Sequence, residues 1–444
     1  MPTLHAVRGP ALCARALRGS AITAGSYALS QGLRLISNLM LARLLFPEAF
    51  GLMALVSVGL VGLMMFSDVG IGPAISRSPR GDNTAFLNTA WTLQVLRGAV
   101  LWAATGAFAL PLAWVYAAPE LALLLPVAGL ALFIAGFNPT RIDTANRHLL
   151  LGRVTALDLA SQAIGIAVMV ALAFATRSVW SLVLGAVVAA AAKLALMQLF
   201  LPGPKNRFAW EPAAGTELVH FGKWIFLSTA CGFLMAQGDR LILGAYLPLD
   251  QLGVYNIGYF LASFPWLLGG AVTMRIMIPL YRDKGQEAAR IGRLRMGMTG
   301  GLLALLGGLA LLGVPLVGLL YDDRYAMAGA IVVVVACVQM PAVIGMTYDQ
   351  AALAAGDSRN FFLVLLAKAS VQTAAFVLGA ELGGLLGALI GQGLALVAVH
   401  PLIIWLARKH GVWDARHDAL WGALALLVSG LAVLIHWQRI AALI

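Results

Sequence analysis

The stretch MGMTGGLLALLGGLALLGVPLVGLL, residues 296–320, is 25 residues long and carries no charge. A helix needs about 20 mostly apolar residues to cross a bilayer, whereas a strand of a membrane barrel needs about 9–11. This stretch is therefore predicted to be a membrane-spanning α-helix.

The whole chain is similarly apolar: 61% of its 444 residues are hydrophobic and 11% are charged, whereas a soluble domain carries roughly 25% charged residues. The composition excludes a water-soluble fold and predicts an all-α membrane protein.

Similar apolar runs recur along the chain and predict 13 transmembrane helices, with 12 or 14 as alternatives. They lie at residues 19–43, 51–75, 88–113, 119–138, 155–176, 178–201, 220–245, 252–278, 296–320, 326–347, 360–380, 384–406 and 418–437. Proline and glycine mark segment 202–219 as a linker between an N-lobe (19–201) and a C-lobe (220–406) of six spans each. An N-terminal segment (1–18) and a C-terminal region with one extra helix (407–444) complete the predicted organisation.

The basic residues of the loops alternate from one side of the predicted membrane to the other. Twenty of the 30 Lys and Arg residues fall on the side of the N-terminus and four on the opposite side. Basic loops stay in the cytoplasm, so the N-terminus is predicted to be cytoplasmic. The net charge of +11 is thereby explained by short loops, and no nucleic-acid partner is expected.

Two short turns form an internal repeat. Leu45-Phe46-Pro47-Glu48-Ala49-Phe50-Gly51 follows the first span, and Leu247-Pro248-Leu249-Asp250-Gln251-Leu252-Gly253 follows the seventh. Both connect the first and second spans of a six-span half. The repeat predicts two pseudo-symmetric lobes of the same orientation, as in transporters with parallel repeats.

The first span carries a polar stripe, because Tyr27, Gln31, Arg34 and Asn38 share one face of a helix. An arginine at this depth is costly against lipid, so the stripe must face protein or water. One interpretation is a residue that lines a cavity. The other is a structural arginine, capped by carbonyl groups, that holds two helices together.

Further polar residues fall within the predicted spans of the C-lobe. Asp239 and Arg240 are adjacent in the seventh span, and neighbours on a helix point about 100° apart, so each is expected to face a different partner. Asn256 and Tyr259 lie in the eighth span, which Arg275 follows, and Lys368 shares a face of the eleventh span with Gln372.

Asp68 ends the second span, where it could pair with a base, relay a proton or lie at the membrane surface. Bases slightly outnumber the acids predicted to be buried. Six basic residues, Arg34, Arg97, Lys193, Arg240, Arg275 and Lys368, stand against four acids, Asp68, Asp158, Asp239 and Asp349, and Asp68 and Asp349 are predicted to lie close to the membrane surface. Surplus arginine favours an anionic ligand, since the guanidinium group stays charged and offers a bidentate fork to phosphate or carboxylate.

The chain has no Gly-rich nucleotide-binding motif and no cluster of metal ligands, so no cofactor and no metal are expected.

Seven short motifs, in order along the chain, resemble those of bacterial oligosaccharide flippases. They are Arg43-Leu-Leu-Phe-Pro47-Glu-Ala-Phe-Gly51, Asp68-Val-Gly-Ile-Gly72, Phe221-Gly222-Lys223-Trp224, Asp239-Arg240-Leu-Ile-Leu-Gly244, Leu252-Gly253-Val-Tyr255-Asn256, Ile278-Pro279-Leu280 and Ala355-Gly356-Asp357-Ser358-Arg359. The resemblance covers about residues 20–405. The chain thus resembles the oligosaccharide flippase (polysaccharide transporter) family, which is part of the multidrug/oligosaccharidyl-lipid/polysaccharide superfamily.

This resemblance implies two six-helix lobes around a central cavity that opens alternately to each side of the membrane. It also implies a substrate of oligosaccharide units on undecaprenyl diphosphate, carried to the periplasmic leaflet without catalysis. Arg34, Arg275 and Arg240 are then expected to hold the diphosphate or acidic sugars. The other expected roles are hydrogen bonds to sugar hydroxyls for Gln31, Asn38, Asn256 and Tyr259, a place in the cavity wall for Asp239, and coupling or gating for Asp68 and Lys368.

Two rival functions fit parts of the same pattern. A multidrug or cation antiporter of the superfamily would place an acid at the centre of the cavity. A polysaccharide polymerase, an enzyme, would carry a long outer loop with paired Arg or His residues, and no predicted loop has that length. The expected partners are the lipid-linked oligosaccharide and membrane lipids, with a polysaccharide polymerase and glycosyltransferases as further candidates, and the chain is expected to be a monomer.

Overall fold

The computed structural model describes residues 10–68, 70–148, 150–222, 226–282 and 288–443, and over these residues the fold is helical. The helices are α1 (Pro10–Leu44), α2 (Pro47–Phe66), α3 (Ile71–Arg77), α4 (Thr84–Val115), α5 (Leu121–Gly136), α6 (Arg141–Arg147), α7 (Leu151–Thr176), α8 (Trp180–Phe200), α9 (Pro212–Gly222), α10 (Phe226–Tyr246), α11 (Leu249–Arg282), α12 (Ala288–Leu320), α13 (Ala326–Gly345), α14 (Asp349–Ala354), α15 (Ser358–Lys409) and α16 (Ala415–Ala441). The predicted all-α membrane fold is confirmed. The predictions for residues 1–9, for Lys223 and for the side chain of Tyr27 lie outside the described residues.

Length and composition identify fewer membrane spans in the structure than the sequence pattern predicts. Within the described ranges, nine helices are long and apolar enough to cross a membrane, and the pair α5–α6, bent by 62°, would make ten. Each predicted span overlaps a helix of the structure. The total of 13 spans stays a prediction.

Helix α15 contains two of the predicted spans, 360–380 and 384–406. Its 52 residues are interrupted at Gly383 and Gly384, where the backbone leaves the helical region and Gly384 adopts a φ of 57°. Glycine permits this left-handed conformation at little cost. The break turns α15 into a hairpin of two arms.

The ends of this hairpin are joined by Asp357, which caps the start of α15 by accepting a hydrogen bond from the Asn360 amide. Lys409, at the far end of α15, donates to Asp357 at 2.8 Å. This hydrogen bond, with others from Asn360, holds the pKa of the Asp357 carboxyl below its usual range. The stabilisation from this contact is therefore fully present at neutral pH, begins to decrease below the ordinary pKa of a carboxyl group and is lost as the pH falls through the lowered pKa.

Contacts divide the chain into two compact units. Unit 1 comprises the described residues up to Leu45 and Val56–Thr229, and unit 2 comprises Phe46–Leu55 and the described residues from Ala230 onward. Within the predicted linker 202–219, α9 is helical, and its buried Ala214 and Leu218 join the core of unit 1. The predicted domain boundaries stay a prediction, although the contacts place Phe46–Leu55 in unit 2 and not with the other N-lobe residues.

Phe46–Leu55 belongs to unit 2 because the two repeated turns contact each other there. A Cβ atom built on Gly51 would lie 2.0 Å from the carbonyl oxygen of Leu249, and one built on Gly253 would lie 1.9 Å from that of Pro47. The repeat aligns Pro47 with Leu249 and Gly51 with Gly253. Equivalent residues therefore make reciprocal contacts, as they do across a two-fold axis. The backbones can approach this closely only because both positions are glycine.

The last helix, α16, is attached to the rest of unit 2 by a buried polar network centred on Asp418. The Asp418 carboxylate accepts hydrogen bonds from Tyr348 Oη at 2.8 Å and from Trp413 Nε1 at 3.0 Å. His417 Nδ1 lies 3.0 Å and His400 Nε2 lies 3.4 Å from the same carboxylate. One acid thus satisfies four polar groups from three parts of the chain.

Replacing Asp418 by alanine is expected to destabilise the protein by about 3 kcal/mol, because it leaves several buried donors without an acceptor. Asp250→Ala is the matched control, since Asp250 is exposed in the first turn of α11 and contributes less than about 1 kcal/mol there. Thermal unfolding of the purified variants measures the difference. Equal melting temperatures for the two variants would contradict a stabilising role for the network.

Candidate functional site

The charged residues within the predicted spans are largely paired. Each of the four acids lies near one base, and the pairs are Asp68–Arg97 at 3.9 Å, Asp158–Lys193 at 2.7 Å, Asp239–Arg240 at 4.0 Å and Asp349–Lys368 at 2.6 Å. Pairing offsets part of the cost of placing a charge within the membrane. Of the six bases predicted to lie in the membrane, two remain, Arg34 and Arg275.

Arg34 on α1 and Arg275 on α11 both have exposed side chains. Among the residues that the structure describes, neither arginine has a hydrogen-bond or ion-pair partner. The structure thus favours an accessible Arg34 over the alternative of an arginine capped by carbonyl groups. Gln31 and Asn38, on the same predicted stripe, are half-buried. Ser30, next to this stripe, connects α1 to α7 by donating a hydrogen bond to Gln162 at 2.8 Å.

Asp68, directly after α2, has an exposed side chain and accepts a hydrogen bond from the Gly70 amide at 2.9 Å. Arg97 on α4 lies 3.9 Å from the same carboxylate oxygen. The guanidinium of Arg97 is held more closely by Ser67 Oγ at 3.0 Å and by the Met64 carbonyl at 2.8 Å. Of the three interpretations that the sequence left open for Asp68, pairing with a base is the one that the geometry displays.

Four predicted site residues of unit 2 form one network between α10 and α11. Arg240 Nε donates to Asn256 at 2.8 Å, and its guanidinium carbon lies 5.1 Å from the centre of the Tyr259 ring. Asp239 accepts a hydrogen bond from Tyr255 at 2.7 Å. As the helical geometry predicts, Asp239 and Arg240 have different principal partners, and their closest charged atoms are 4.0 Å apart. Arg275, on the same helix as Asn256, takes no part in this network.

Tyr255 is the member of this network that sequence reasoning missed. Its side chain is fully buried, and its ring lies 5.7 Å from that of Tyr259, one helical turn further on. The signal that could have identified it is this spacing of two tyrosines by four residues, opposite an aspartate in the preceding span. Tyr255 thereby fixes the orientation of Asp239.

Lys368 lies on α15 in a second polar region of unit 2. Its ammonium group donates to Asp349 at 2.6 Å, and both side chains are mostly buried. Lys368 and Gln372, which are predicted to share a helical face, both line one cavity of unit 2. This cavity has a volume of about 230 Å³.

Comparison with known proteins assigns the chain to a family. Residues 40–327, well over half of the chain, match the model of a family described as polysaccharide biosynthesis protein. The chain belongs to this family. Its relatives include the succinoglycan biosynthesis transport protein ExoT of Rhizobium meliloti, 24% identical over 366 residues, which are 81% of this chain and 73% of that protein. The teichuronic acid biosynthesis protein TuaB of Bacillus subtilis is 21% identical over 52% of this chain and 48% of its own length.

Solved structures of two transporter types share the fold of this polysaccharide biosynthesis protein. The lipid II flippase MurJ, in an inward closed conformation, has a TM-score of 0.64 at 11% identity, over 94% of this chain and 98% of MurJ. An inward-facing multidrug resistance transporter of the MATE family has a TM-score of 0.61 at 14% identity, over 87% of this chain and 96% of its own. Identities this low establish the fold alone. The family match makes the chain a polysaccharide biosynthesis protein, and its fold is the one that these two transporter types share.

Proposed function

We propose that this protein is a flippase for oligosaccharide units linked to undecaprenyl diphosphate, acting in the synthesis of exopolysaccharide, capsule or O-antigen. The proposal rests on the two basic residues that are not paired with an acid. Arg34 and Arg275 are cationic, exposed and without an acidic partner among the described residues. Arginine binds phosphate oxygens through a planar bidentate fork. Relatives named as transport and biosynthesis proteins of extracellular polysaccharides support the same substrate class.

In this proposal Arg34 and Arg275 bind the diphosphate. Arg240 is a weaker candidate, since Asn256 and Tyr259 already engage its guanidinium group. Gln31 and Asn38 supply hydrogen bonds to sugar hydroxyls, and Asp68 and Lys368 take part in coupling or gating. The protein works as a monomer by alternating access, in the inner membrane with its N-terminus in the cytoplasm, and carries out no catalysis. A polysaccharide polymerase and glycosyltransferases are its proposed partners.

A multidrug or cation antiporter is the second candidate, because a MATE transporter has nearly the same TM-score as MurJ. Such a protein needs an acid that is free to bind a cationic drug or ion. All four acids predicted within the spans lie next to a base. This pairing favours the flippase.

The proposal is tested by deleting the gene for this protein from the bacterium that carries it. Surface polysaccharide is expected to disappear and lipid-linked oligosaccharide to accumulate in the inner membrane, and expression of the wild-type chain should reverse both. Efflux of a cationic dye is measured in the same strains. Normal surface polysaccharide in the deletion strain, or a change in dye efflux alone, would refute the flippase.

A further inference from the structure

A pocket of about 340 Å³ lies in unit 1, where α6, the start of α7 and the chain just after α8 meet. Its lining includes Arg141 on α6, His148 directly after that helix, Gly152 and Arg153 in the first turn of α7, and Leu201 after α8. Among the described residues that line it, none belongs to the substrate site proposed above.

The packing of α7 on α8 determines the depth of this pocket in the membrane. A Cβ atom built on Gly165 would lie 2.4 Å from Cβ of Ala189, and one built on Gly185 would lie 2.6 Å from Cβ of Met169. The two helices are thus antiparallel, and this register places Arg153 level with the end of α8. Both helices are long and apolar enough to cross a membrane. The pocket therefore lies at the level where the two spans leave the lipid.

This end of the helix pair is predicted to face the cytoplasm. Arg147, Arg153, Lys205 and Arg207 lie in the sequence around it, whereas the turn at the opposite end carries Arg177 alone. Basic residues collect at the cytoplasmic ends of membrane spans. The pocket is thus expected among the lipid headgroups of the cytoplasmic leaflet.

The pocket carries positive charge that no described acid of its lining offsets. Arg141 is only 8% exposed and donates a hydrogen bond to the Gln198 carbonyl oxygen at 2.8 Å, and it forms no ion pair with an acid that the structure describes. Arg153 is exposed and has no hydrogen-bond or ion-pair partner in the described ranges. The third basic side chain, His148, already lies 2.8 Å from Asp82. Two arginines are therefore left for an anionic ligand.

The start of α7 favours a ligand of the same charge. The first amide groups of a helix have no partner within it, and together with the helix dipole they attract anions. Leu150, the residue before α7, has an apolar side chain and makes no capping hydrogen bond. Gly152 lines the pocket and has no side chain to cover the backbone there.

Most of the remaining lining is apolar. Leu150 is 65% exposed, and Ala145, Leu201 and Pro202 extend the same surface. A soluble anion such as inorganic phosphate would leave this surface against water, whereas an amphiphile would cover it. The lining therefore fits a molecule with an anionic head and an apolar part.

Phospholipids are the amphiphiles that match this position and charge. They form the leaflet itself, so mass action favours them over a carrier lipid that is present in small amounts. A zwitterionic phospholipid would bring its own ammonium group next to two arginines. An anionic phospholipid compensates the positive charge and adds no further cation, as in other basic pockets on the cytoplasmic side of membrane proteins.

We propose that this pocket binds an anionic phospholipid of the cytoplasmic leaflet, whose phosphate is held by Arg153 and Arg141 and whose first acyl carbons lie along Leu150 and Leu201. The site goes beyond the flippase function and does not depend on it. A lipid held here attaches the end of the α7–α8 pair to the leaflet and thereby fixes the depth of these two helices in the membrane.

The test uses native mass spectrometry of the full chain, purified in a neutral detergent and titrated with phosphatidylglycerol. The wild type is expected to bind phosphatidylglycerol at least about tenfold more tightly than phosphatidylcholine. Arg153→Gln should weaken phosphatidylglycerol binding about tenfold, and Arg141→Gln/Arg153→Gln about a hundredfold. Arg153→Gln should melt like the wild type, since Arg153 has no described partner to lose. The result therefore does not depend on how well the Arg141 variant folds.

Arg207→Gln is the matched control, because Arg207 is an exposed arginine of the same unit and the same predicted membrane face but does not line the pocket. It should bind phosphatidylglycerol like the wild type. Equal binding by Arg207→Gln and Arg153→Gln would overturn the site, and so would a wild type that does not prefer phosphatidylglycerol to phosphatidylcholine.

Two further ligands separate the possible sources of the phosphate. Glycerol 3-phosphate, which lacks acyl chains, should compete at least about a hundredfold more weakly than the lipid, and equal competition would make the pocket a site for a soluble anion. Undecaprenyl diphosphate should bind Arg153→Gln as it binds the wild type, and its selective loss would assign the pocket to the carrier lipid instead.

The variant Arg34→Ala/Arg275→Ala separates this proposal from the flippase function. It should bind phosphatidylglycerol as tightly as the wild type, because neither arginine lines the pocket. Loss of binding in this variant would place the phospholipid at the flippase arginines and refute the site in unit 1. Polymer export is measured separately, so a failure of the flippase proposal would leave the lipid-binding result unchanged.

Discussion

Cells that express the double variant Arg34→Ala/Arg275→Ala are expected to export no detectable polymer. Each arginine has an exposed guanidinium group and no acidic partner in the described part of the chain. A hydrogen bond to a charged group contributes about 1.5–3 kcal/mol. Removing both should therefore weaken binding of the diphosphate at least about a hundredfold. Surface polysaccharide, measured in the deletion strain complemented with each variant, gives the result.

Each single alanine variant should lower export, with the Lys variants intermediate, since lysine keeps the charge but loses the bidentate geometry. Membrane insertion should be unaffected, because removing a charge from a span lowers the cost of insertion. Arg359→Ala is the control: Arg359 is an exposed arginine in the first turn of α15, and its loss should leave export unchanged. Normal polymer from the double variant would rule out diphosphate binding by these two residues.

Replacing either Gly51 or Gly253 by alanine is the second change with a large expected effect. The added methyl group would lie about 2 Å from a backbone carbonyl oxygen, on Leu249 in one case and on Pro47 in the other. A backbone contact cannot be relieved by rotating a side chain, so each variant should lose about 1–3 kcal/mol of stability. Because the contacts are reciprocal, the two losses should be similar. Melting temperatures of the purified variants measure them.

Gly301→Ala controls for the change of helix propensity. Gly301 lies within α12, and a Cβ atom there would meet nothing within 4 Å, so alanine should be neutral or stabilising by up to about 1 kcal/mol. If Gly51→Ala and Gly253→Ala melted at the temperature of Gly301→Ala, the close approach of the repeated turns would be disproved.

Hydropathy predicted where the helices lie, because the apolar runs are long and the lipid leaves few other choices for the backbone. It also separated the two arms of α15, since Gly383 and Gly384 interrupt an otherwise continuous run. The partners of the charged residues were not predictable in the same way. Whether Asp158 meets Lys193 depends on the rotation and depth of two helices, and these are set by packing contacts that no local pattern records.

The network and the cavity of unit 2 illustrate the same limit at the candidate site. Asp239, Arg240, Asn256 and Tyr259 were each predicted from their polarity within an apolar run, but the role of Tyr255 in holding Asp239 was not. The glutamines of the cavity come from three helices and share no spacing, so only the folded chain reveals that they surround one space. The internal repeat likewise identified equivalent turns without predicting that they touch.

The ion pairs also bear on how the chain is made. Asp158 and Lys193 lie on α7 and α8, which follow one another in the chain, and Asp349 and Lys368 lie on α14 and α15. Each charge is thus synthesised together with its partner or shortly before it. A hairpin of two new helices can then enter the membrane as a neutral unit, and neither ion has to wait alone in lipid, where it would be costly. Local pairing of this kind suits a protein that must be inserted while the ribosome is still extending it.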